Sequence, residues 1–132
     1  APTNAALRAL FPAGTPDANI IGALNTPALF PASTVRGLVV YHILGVRAFT
    51  PNFPTTETAV PTLLNGAIAT HPGVRLMATF TGPFVTAATV KGAANATASN
   101  VLINPTPNPA GSSDQHFTNG VLHKIDQVLR PQ

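Results

Sequence analysis

The stretch that decides the fold lies near the end of the 132-residue chain and reads Asn119-Gly120-Val121-Leu122-His123-Lys124-Ile125-Asp126-Gln127-Val128-Leu129. Its Val, Leu and Ile side chains fall on both faces of an extended chain, which is typical of a strand inside a sheet rather than at its edge. Asn119-Gly120 tolerates positive φ and predicts the turn that precedes this strand. We therefore predict a central strand over residues 120–129.

Two polar side chains, His123 and Asp126, interrupt this apolar run. Burying either of them without a hydrogen-bond partner would cost about 1–3 kcal/mol. We therefore expect each to have a partner elsewhere in the chain, with Tyr41, His42 and the Thr3-Asn4 segment as the candidates.

Four earlier runs rich in Val, Ile, Leu, Phe and Thr also predict strands, at residues 60–64, 73–80, 84–90 and 100–103. The turn pairs between them are Asn65-Gly66, Pro72-Gly73, Gly82-Pro83 and Lys91-Gly92. Asn65-Gly66 is the best hairpin signal among these pairs. Residues 104–113 contain alternating prolines, which cannot donate to a ladder, and so predict a loop.

The first third of the chain predicts short helices, because the 14 prolines and 10 glycines leave no room for long ones. Thr3 is the predicted cap of a helix that ends near Pro12, and Asp17 is the predicted cap of a helix over residues 17–24. Ser33 or Thr34 is the predicted cap of a third, mostly buried helix over residues 35–40. Short helices followed by strands predict one α+β domain, mainly β, over residues 1–132.

The composition excludes several classes of protein. Only 8% of residues are charged, where an ordinary soluble domain has about 25%. This excludes a charged tail, a charge-rich coiled coil and a charge-rich disordered segment. The seven Lys and Arg residues are scattered, which argues against a nucleic-acid-binding surface. There is no cysteine, which excludes disulfides, thiolate zinc sites and thiol catalysis.

The residue types that perform catalysis or bind metals show no matching pattern. The four histidines, at 42, 71, 116 and 123, have neither the i, i+4 spacing nor the His-x-His spacing of metal ligands. A weak surface site from His116 and His123 is the least favoured alternative. No nucleophile elbow, phosphate-binding glycine loop or dinucleotide fingerprint is present. We predict no enzymatic activity, no metal site and no cofactor.

Three segments taken together resemble the fasciclin domain, whose signature is an "APTN-x-A" segment, a central Tyr-His pair and a closing "NG-x-x-H-x-ID-x-VL-x-P" strand. The first and second are Ala1-Pro2-Thr3-Asn4-Ala5-Ala6 and Leu38-Val39-Val40-Tyr41-His42-Ile43-Leu44, and the third is the closing stretch quoted above. Thr62-Leu63-Leu64-Asn65-Gly66 is similar to the family's Thr-Leu-x-Gly hairpin. The motif positions are Pro2, Thr3, Asn4, Tyr41, His42, Asn119, Gly120, His123 and Asp126. The resemblance implies a wedge-shaped β-sandwich with short helices packed along one side.

The resemblance also implies a non-catalytic adhesion or interaction module that is extracellular, secreted or part of the cell envelope, either periplasmic or surface-anchored. Its partner would be a protein or a matrix or envelope component, with any membrane tether outside this segment. Tyr41-His42 would be either part of a buried network that joins the chain ends or an exposed adhesive epitope. We favour burial, because the pair ends a buried helix. Asn95-Ala96-Thr97 is a candidate glycosylation sequon.

Two alternatives remain for the function. Some fasciclin-like proteins carry apolar ligands such as carotenoids, and a groove here could be lined by phenylalanines, namely Phe49, Phe53, Phe80, Phe84 and Phe117. These five side chains could equally form ordinary core. The other alternative is a subunit of a larger envelope assembly. Family members usually have a helical segment and the start of a strand before "APTN", so we expect an N-terminally truncated domain with an apolar groove left open to a partner.

Overall fold

A computed structural model describes residues 1–103 and 113–132 of the chain. Three helices come first, α1 (Asn4–Arg8), α2 (Asp17–Leu24) and α3 (Ala32–Tyr41). Short 3₁₀-helical turns lie at Thr50–Asn52 and Leu63–Gly66. The strands among the described residues are β1 (Thr58–Val60), β2 (Val74–Thr81), β3 (Phe84–Lys91), β4 (Ser99–Asn100), β5 (Gln115–Phe117) and β6 (Gly120–Leu122). The α+β prediction is confirmed, whereas the loop predicted over residues 104–113 lies, apart from Ser113, outside the described residues.

An antiparallel sheet with the strand order β1-β2-β3-β4 forms the centre of the molecule. Its longest pair is the β2–β3 hairpin, in which Thr81 pairs with Phe84 across the two-residue turn Gly82-Pro83. Gly82 has a φ of 59°, a conformation that glycine adopts at no steric cost and that fits the first central position of a tight hairpin turn. The predicted strands at residues 73–80 and 84–90 and their turn are therefore confirmed to within one residue.

One face of this sheet forms the core. Val74, Leu76 and Ala78 alternate along β2 and are buried, and Ala88 and Val90 are buried on β3. Because side chains of a strand alternate between its faces, this spacing places all of them on one side. The remaining buried members of the cluster come from other elements, and are Tyr41, Phe53, Leu64, Val101, Ile125 and Leu129.

The central strand predicted over residues 120–129 is wrong in its extent. β6 spans only Gly120–Leu122, and it pairs with β5 in a separate two-stranded sheet. Beyond β6 the segment makes one isolated antiparallel bridge, between Ile125 and Val101, and the Asp126 side chain and the Gln127 N–H bond to Asn100 and Ser99. Neither Asn119 nor Gly120 has positive φ, so the conformation predicted for this turn is also wrong.

The hairpin predicted at Asn65-Gly66 is also wrong, because these residues belong to a 3₁₀-helical turn. The Asn65 side chain accepts a hydrogen bond from the Thr62 N–H at 2.8 Å and donates one to the His71 carbonyl, so it stabilises a local turn. The neighbouring strand is β1 (Thr58–Val60), shorter and earlier than predicted. Similarly, the strand predicted at residues 100–103 is reduced to β4 (Ser99–Asn100) and one isolated bridge from Val101.

The helix caps follow the prediction in one case out of three. The Thr3 hydroxyl accepts a hydrogen bond from the Ala6 N–H at 3.1 Å, as expected. Pro16 and Pro31 instead precede α2 and α3, and neither helix has a side-chain cap. Both prolines lie at the N-cap in an extended conformation, with ψ of 145° and 144°. Asp17 is the first helical residue, and it pairs with Arg8 at 2.6 Å instead of capping the helix.

Helix α3 is not mostly buried, contrary to the prediction. Val35 and Val39 are exposed, whereas Tyr41 at the end of the helix is completely buried. The apolar content of the helix therefore does not correspond to contact with the core. Its exposed valines, Val35 and Val39, border a cavity between the helices and the closing segment.

Candidate functional site

The three segments that carry the fasciclin resemblance meet in space. The Ile125 N–H donates to the Ala1 carbonyl at 3.0 Å, and the Thr3 N–H donates to the Ile125 carbonyl at 3.0 Å. Pro2 and Ile125 thereby form a parallel bridge. The Leu129 N–H donates to Nε2 of His42 at 3.0 Å, which brings the middle segment to the closing one. Asn4 is exposed at the start of α1.

Tyr41 is a buried link between distant parts of the chain. Its hydroxyl donates to the Gly73 carbonyl at 2.7 Å and accepts from the Ala93 N–H at 2.8 Å. The ring also makes an edge contact with His71, at 5.0 Å between centroids. Tyr41 is thus buried, as expected, and is not an exposed epitope. Its hydroxyl bonds to residues 73 and 93, however, and does not join the two ends of the chain.

His42 is half-buried, and its two ring nitrogens have opposite roles. Nδ1 lies 2.8 Å from the Leu38 carbonyl and donates to it, so Nε2 is free to accept from the Leu129 N–H. This arrangement requires the neutral ring, since a protonated Nε2 would lose the bond from Leu129. Burial lowers the pKa of His42 below its ordinary value, although the bond to the Leu38 carbonyl works in the other direction.

His123 has partners, as predicted, but not the predicted ones. Its Nδ1 accepts from the Asp114 N–H at 3.1 Å, and its Nε2 donates to the Ala48 carbonyl at 2.7 Å. The Asp114 carboxylate in turn accepts from the backbone N–H and the hydroxyl of Thr50, at 2.7 and 2.6 Å. Asp114 has a φ of 52°, which Asp tolerates better than most residues. This cluster joins the 3₁₀-helical turn at Thr50–Asn52 to the segment before β5.

Asp126 likewise bonds elsewhere than predicted. Its carboxylate accepts from the Ser99 hydroxyl at 2.8 Å, from the Asn100 N–H at 2.8 Å and from the Asn100 side chain at 2.7 Å. Desolvation raises the pKa of Asp126, but the bonds from Asn100 and Ser99 outweigh it and hold the pKa below its ordinary value. Asp126 therefore anchors the closing segment to β4.

Asn95, the predicted glycosylation position, is a structural residue in this fold. Its side chain is 9% exposed. Its Nδ2 donates to the Val128 carbonyl at 3.0 Å, and its Oδ1 accepts from the Arg130 N–H at 2.7 Å. The burial of Nδ2 argues against a glycan in the folded chain, and glycosylation at Asn95 stays a prediction.

Two buried polar residues of this network were missed by sequence reasoning. His71 accepts from the Gly73 N–H through Nδ1 and bonds to the Pro131 carbonyl through Nε2, both at 3.0 Å. Ser99 is completely buried, and its hydroxyl bridges Asp126 and the Gln127 N–H. The position of His71 directly before Pro72-Gly73 is a weak signal for a turn-stabilising role, whereas nothing in the local sequence singles out Ser99.

These hydrogen bonds occupy the ring nitrogens that a catalytic histidine would need. Both ring nitrogens of His42, His71 and His123 are engaged with backbone groups, so none of the three rings is free to take a proton from a substrate. His116 stacks against Phe49, with 4.9 Å between ring centroids. Within residues 1–103 and 113–132, no three His, Asp or Glu side chains are arranged to hold a metal ion.

A large apolar cavity lies between the helices and the closing segment. Its volume is about 920 Å³. Side chains from every helix contribute to its wall, and they are Leu7, Leu24, Val35, Leu38 and Val39. Core residues of the sheet and residues 119–123 line its other sides. The cavity therefore reaches from the surface to the hydrophobic core.

The rim of this cavity is apolar and exposed. Val39, Val46 and Leu63 line it and are 53%, 68% and 47% exposed. Most of the polar side chains that border it are already paired within the chain: Arg47, for example, donates to the Thr118 carbonyl at 2.6 Å. What the cavity offers a ligand is thus mainly apolar surface.

The predicted phenylalanine groove is wrong. Among the five predicted residues only Phe53 lines the cavity, and it does so as a member of the core. Phe84 and Phe117 are exposed on the two hairpins, at 72% and 53%. Phe80 packs against the core, and Phe49 packs against His116. Aliphatic side chains, which the sequence did not distinguish from ordinary core, form most of the wall instead.

Comparison with known proteins gives no match to a protein-family model, to a curated protein or to a solved structure. In the part of the chain that the structure describes, none of the helices has the length and apolar character needed to cross a membrane.

Proposed function

We propose that this chain is a non-catalytic interaction domain of the fasciclin type, acting outside the cell or in its envelope, which binds an apolar part of another polypeptide. The observation that carries the proposal is the open apolar cavity of about 920 Å³ with its exposed rim of Val39, Val46 and Leu63. Large contiguous apolar surfaces on a folded domain mark interaction sites.

The meeting of the three motif segments supports the fasciclin part of the proposal. Residues 1–3 pair with Ile125, and His42 bonds to the backbone of Leu129. These contacts give the motif residues a shared structural role, which accounts for their occurrence together in one sequence. The engagement of three histidine rings with backbone groups supports the non-catalytic part.

The shape of the cavity favours a polypeptide over a small molecule. Small-molecule sites bury most of their ligand and orient it with a few free polar groups. Here the apolar rim is exposed, and four of the bordering polar side chains, Tyr41, His42, Arg47 and His123, are bonded within the chain, which leaves Asn119 as an exposed polar side chain at the cavity. An apolar centre surrounded by such a rim resembles the core of a protein–protein interface.

A random twelve-residue peptide library displayed on phage tests the proposal. The purified chain should select peptides rich in apolar residues, and Val39→Lys and Val46→Lys should each weaken their binding by about tenfold, or about 1.4 kcal/mol. Phe84→Lys is the matched control, because Phe84 is equally apolar and exposed but does not line the cavity. Selection of no peptide above background, or equal weakening by all three variants, would refute the proposal.

A second candidate function is the carriage of a small apolar ligand such as a carotenoid. It is favoured by the cavity volume, which falls within the range of about 300–1,000 Å³ that is usual for ligand sites. Mixing the purified chain with a carotenoid and separating the free pigment by gel filtration tests it. Pigment that elutes with the wild-type protein but not with Val39→Lys would support carriage, and colourless protein would exclude it for this pigment.

A further inference from the structure

The dipeptide Asn-Gly occurs twice in the chain, at Asn65-Gly66 and at Asn119-Gly120. It is chemically reactive, because the backbone nitrogen of the glycine can attack the side-chain carbonyl carbon of the asparagine. A Cβ on the second residue hinders this approach, and glycine has none. Neither dipeptide has positive φ. The two pairs therefore differ mainly in what surrounds the asparagine.

Asn65 is fixed by the bonds of its own side chain. Its Oδ1 accepts from the Thr62 N–H at 2.8 Å, and its Nδ2 donates to the His71 carbonyl. Thr62 and His71 are buried, at 4% and 7% exposed. An attack by the Gly66 nitrogen would require both bonds to break, which leaves backbone groups of buried residues without partners. The fold therefore protects this amide.

Asn119 has the opposite surroundings. It is exposed, and its side chain makes no hydrogen bond within the described part of the chain. It is the second residue of the two-residue turn between β5 and β6, beyond the last pair of the ladder, Phe117 with Gly120. These strands have three residues each and form a sheet of their own. So short a ladder opens easily at its tip, and opening frees the Gly120 nitrogen.

We propose that Asn119 is a site of spontaneous covalent modification, at which the side-chain amide is converted to a carboxylate through a cyclic imide formed with Gly120. The Gly120 nitrogen loses its proton to solvent base and forms a bond to Cγ of Asn119. The Cγ–Nδ2 bond breaks, and the leaving nitrogen takes a proton from water and departs as ammonia. No oxidant or enzyme is needed for these steps.

Water then opens the imide at one of its two carbonyl groups. If the new bond between the nitrogen and Cγ breaks, the product is aspartate. If the bond between the nitrogen and the main-chain carbonyl carbon breaks, the product is isoaspartate, in which the backbone runs through Cβ and Cγ. Water is thus the only co-reactant, and both products carry one carboxylate in place of the amide.

The conversion changes the charge of the molecule at a defined place. It lowers the formal net charge of +3 by one. Asn119 and Gly120 both line the apolar cavity, and Arg47 donates to the carbonyl of the neighbouring Thr118 at 2.6 Å. The new carboxylate therefore lies at the cavity wall and in the same turn that holds the Arg47 guanidinium, whose charge favours it. Converted and unconverted copies of the chain differ at this wall.

Incubation of the purified chain at pH 8 and 37 °C, followed by peptide mapping with mass spectrometry, tests the proposal. Electron-transfer fragmentation distinguishes isoaspartate from aspartate. Asn119 should convert at least about tenfold faster than Asn65 in the folded chain. The converted protein should elute earlier from a cation exchanger. In concentrated urea the fold no longer protects Asn65, so both asparagines should convert at similar rates.

Gly120→Ala and Gly66→Ala are matched variants, because an added Cβ meets no atom within 4 Å at either position. Neither glycine has positive φ, so both variants should fold, which thermal unfolding followed by circular dichroism checks. Gly120→Ala should slow the conversion of Asn119 by about tenfold or more, because its Cβ hinders the attacking nitrogen. Gly66→Ala should leave that rate unchanged.

Three results overturn the proposal. If Asn119 converts no faster than Asn65 in the folded chain, exposure and opening of the hairpin do not set the rate. If Asn119 converts in urea but not in the folded chain, the hairpin prevents the attack. If Gly120→Ala converts as fast as the wild type, the route does not pass through an imide with residue 120. None of these measurements uses a ligand, so their outcome is independent of the proposed function.

Discussion

The polar side of the molecule and its cavity side are built in different ways. On the polar side, Tyr41, His71 and Asn95 each make two hydrogen bonds to backbone groups, and those of His71 and Asn95 reach the last residues of the chain. On the cavity side, α2 and α3 present apolar side chains to solvent, with Val39 as an example. One side is closed by specific bonds, and the other is left open.

The difference predicts that substitutions on the polar side change stability, whereas substitutions at the cavity rim change binding. A buried backbone group that loses its partner costs about 1–3 kcal/mol, because it can no longer bond to water. A substitution at an exposed position away from such bonds usually changes stability by less than about 0.5 kcal/mol. Variants of the polar side should therefore lower the free energy of unfolding, whereas variants of the cavity rim should leave it nearly unchanged.

The largest effect is expected for Tyr41→Phe, which keeps the ring but removes the hydroxyl. The Gly73 carbonyl and the Ala93 N–H then lose their partner in a buried environment. We expect a decrease of about 2–4 kcal/mol in the free energy of unfolding, measured by urea denaturation at pH 7. Phe84→Leu is the control and should stay within about 0.5 kcal/mol of the wild type. A loss for Tyr41→Phe as small as that of the control would contradict the contrast between the two sides.

Asp126→Asn should have the next largest effect, because the carboxylate accepts three bonds from Ser99 and Asn100. We expect a loss of about 1–2 kcal/mol at pH 7. The pKa of Asp126 is lower in the folded chain than its ordinary value of 3.8, so its stabilisation is present above that value and is lost as the pH falls below it. Urea denaturation between pH 5 and pH 3 should show a steeper loss in the wild type than in the variant. Parallel pH curves would refute this role of the carboxylate.

Local signals explain what the sequence could predict. Thr3 caps α1 through a bond to a residue three positions away, and Gly82-Pro83 closes a hairpin by its own backbone preference. Short runs rich in Val, Leu, Phe and Thr, bounded by turn pairs, sufficed to place β2 and β3. The burial of Tyr41 was also predicted, but from a helix expected to be buried, and α3 is mostly exposed. Each of these predictions depends on residues close together in the chain.

Some errors are local, such as the caps of α2 and α3 and the turn at Asn65-Gly66, but those at the site concern partners that are distant in sequence. His123 bonds to Asp114 and Ala48, and nothing in the spacing of these residues distinguishes them from other polar groups. The valines of α3 have the periodicity of a buried helix, but periodicity does not reveal whether anything covers that face. The sequence likewise does not reveal which apolar side chains are left uncovered. A phenylalanine-lined groove was therefore predicted, whereas aliphatic residues line most of the cavity.

His42 lies where the two sides meet, and it should make stability depend on pH. The pKa of its ring is below the ordinary value of 6.5 in the folded chain, so the unfolded chain binds a proton first as the pH falls. The stabilisation is therefore complete above pH 6.5 and decreases below it. We expect His42→Gln to lose about 0.5–1.5 kcal/mol at pH 7 and to show a flatter curve between pH 7 and pH 5. His116→Gln, at an exposed position, should keep the wild-type slope, and an equal flattening in both variants would contradict the assignment.

The smallest effect is expected for the ion pair between α1 and α2, beside the cavity. Arg8 and Asp17 are 2.6 Å apart, but both side chains are more than half exposed, at 58% and 60%. Exposed pairs contribute little, since water and salt screen them, so Arg8→Gln should cost less than about 0.5 kcal/mol in urea denaturation. Arg75→Gln is the matched control, because its pair with Glu57 is equally exposed but lies on the sheet. Arg8→Gln could lower the free energy of unfolding clearly more than Arg75→Gln does, with the excess disappearing in 0.5 M salt because salt shortens the Debye length. That result would mean that the helices of the cavity side depend on this ion pair for their position. Both sides would then be stabilised by specific interactions, the polar side by buried hydrogen bonds and the cavity side by an exposed ion pair.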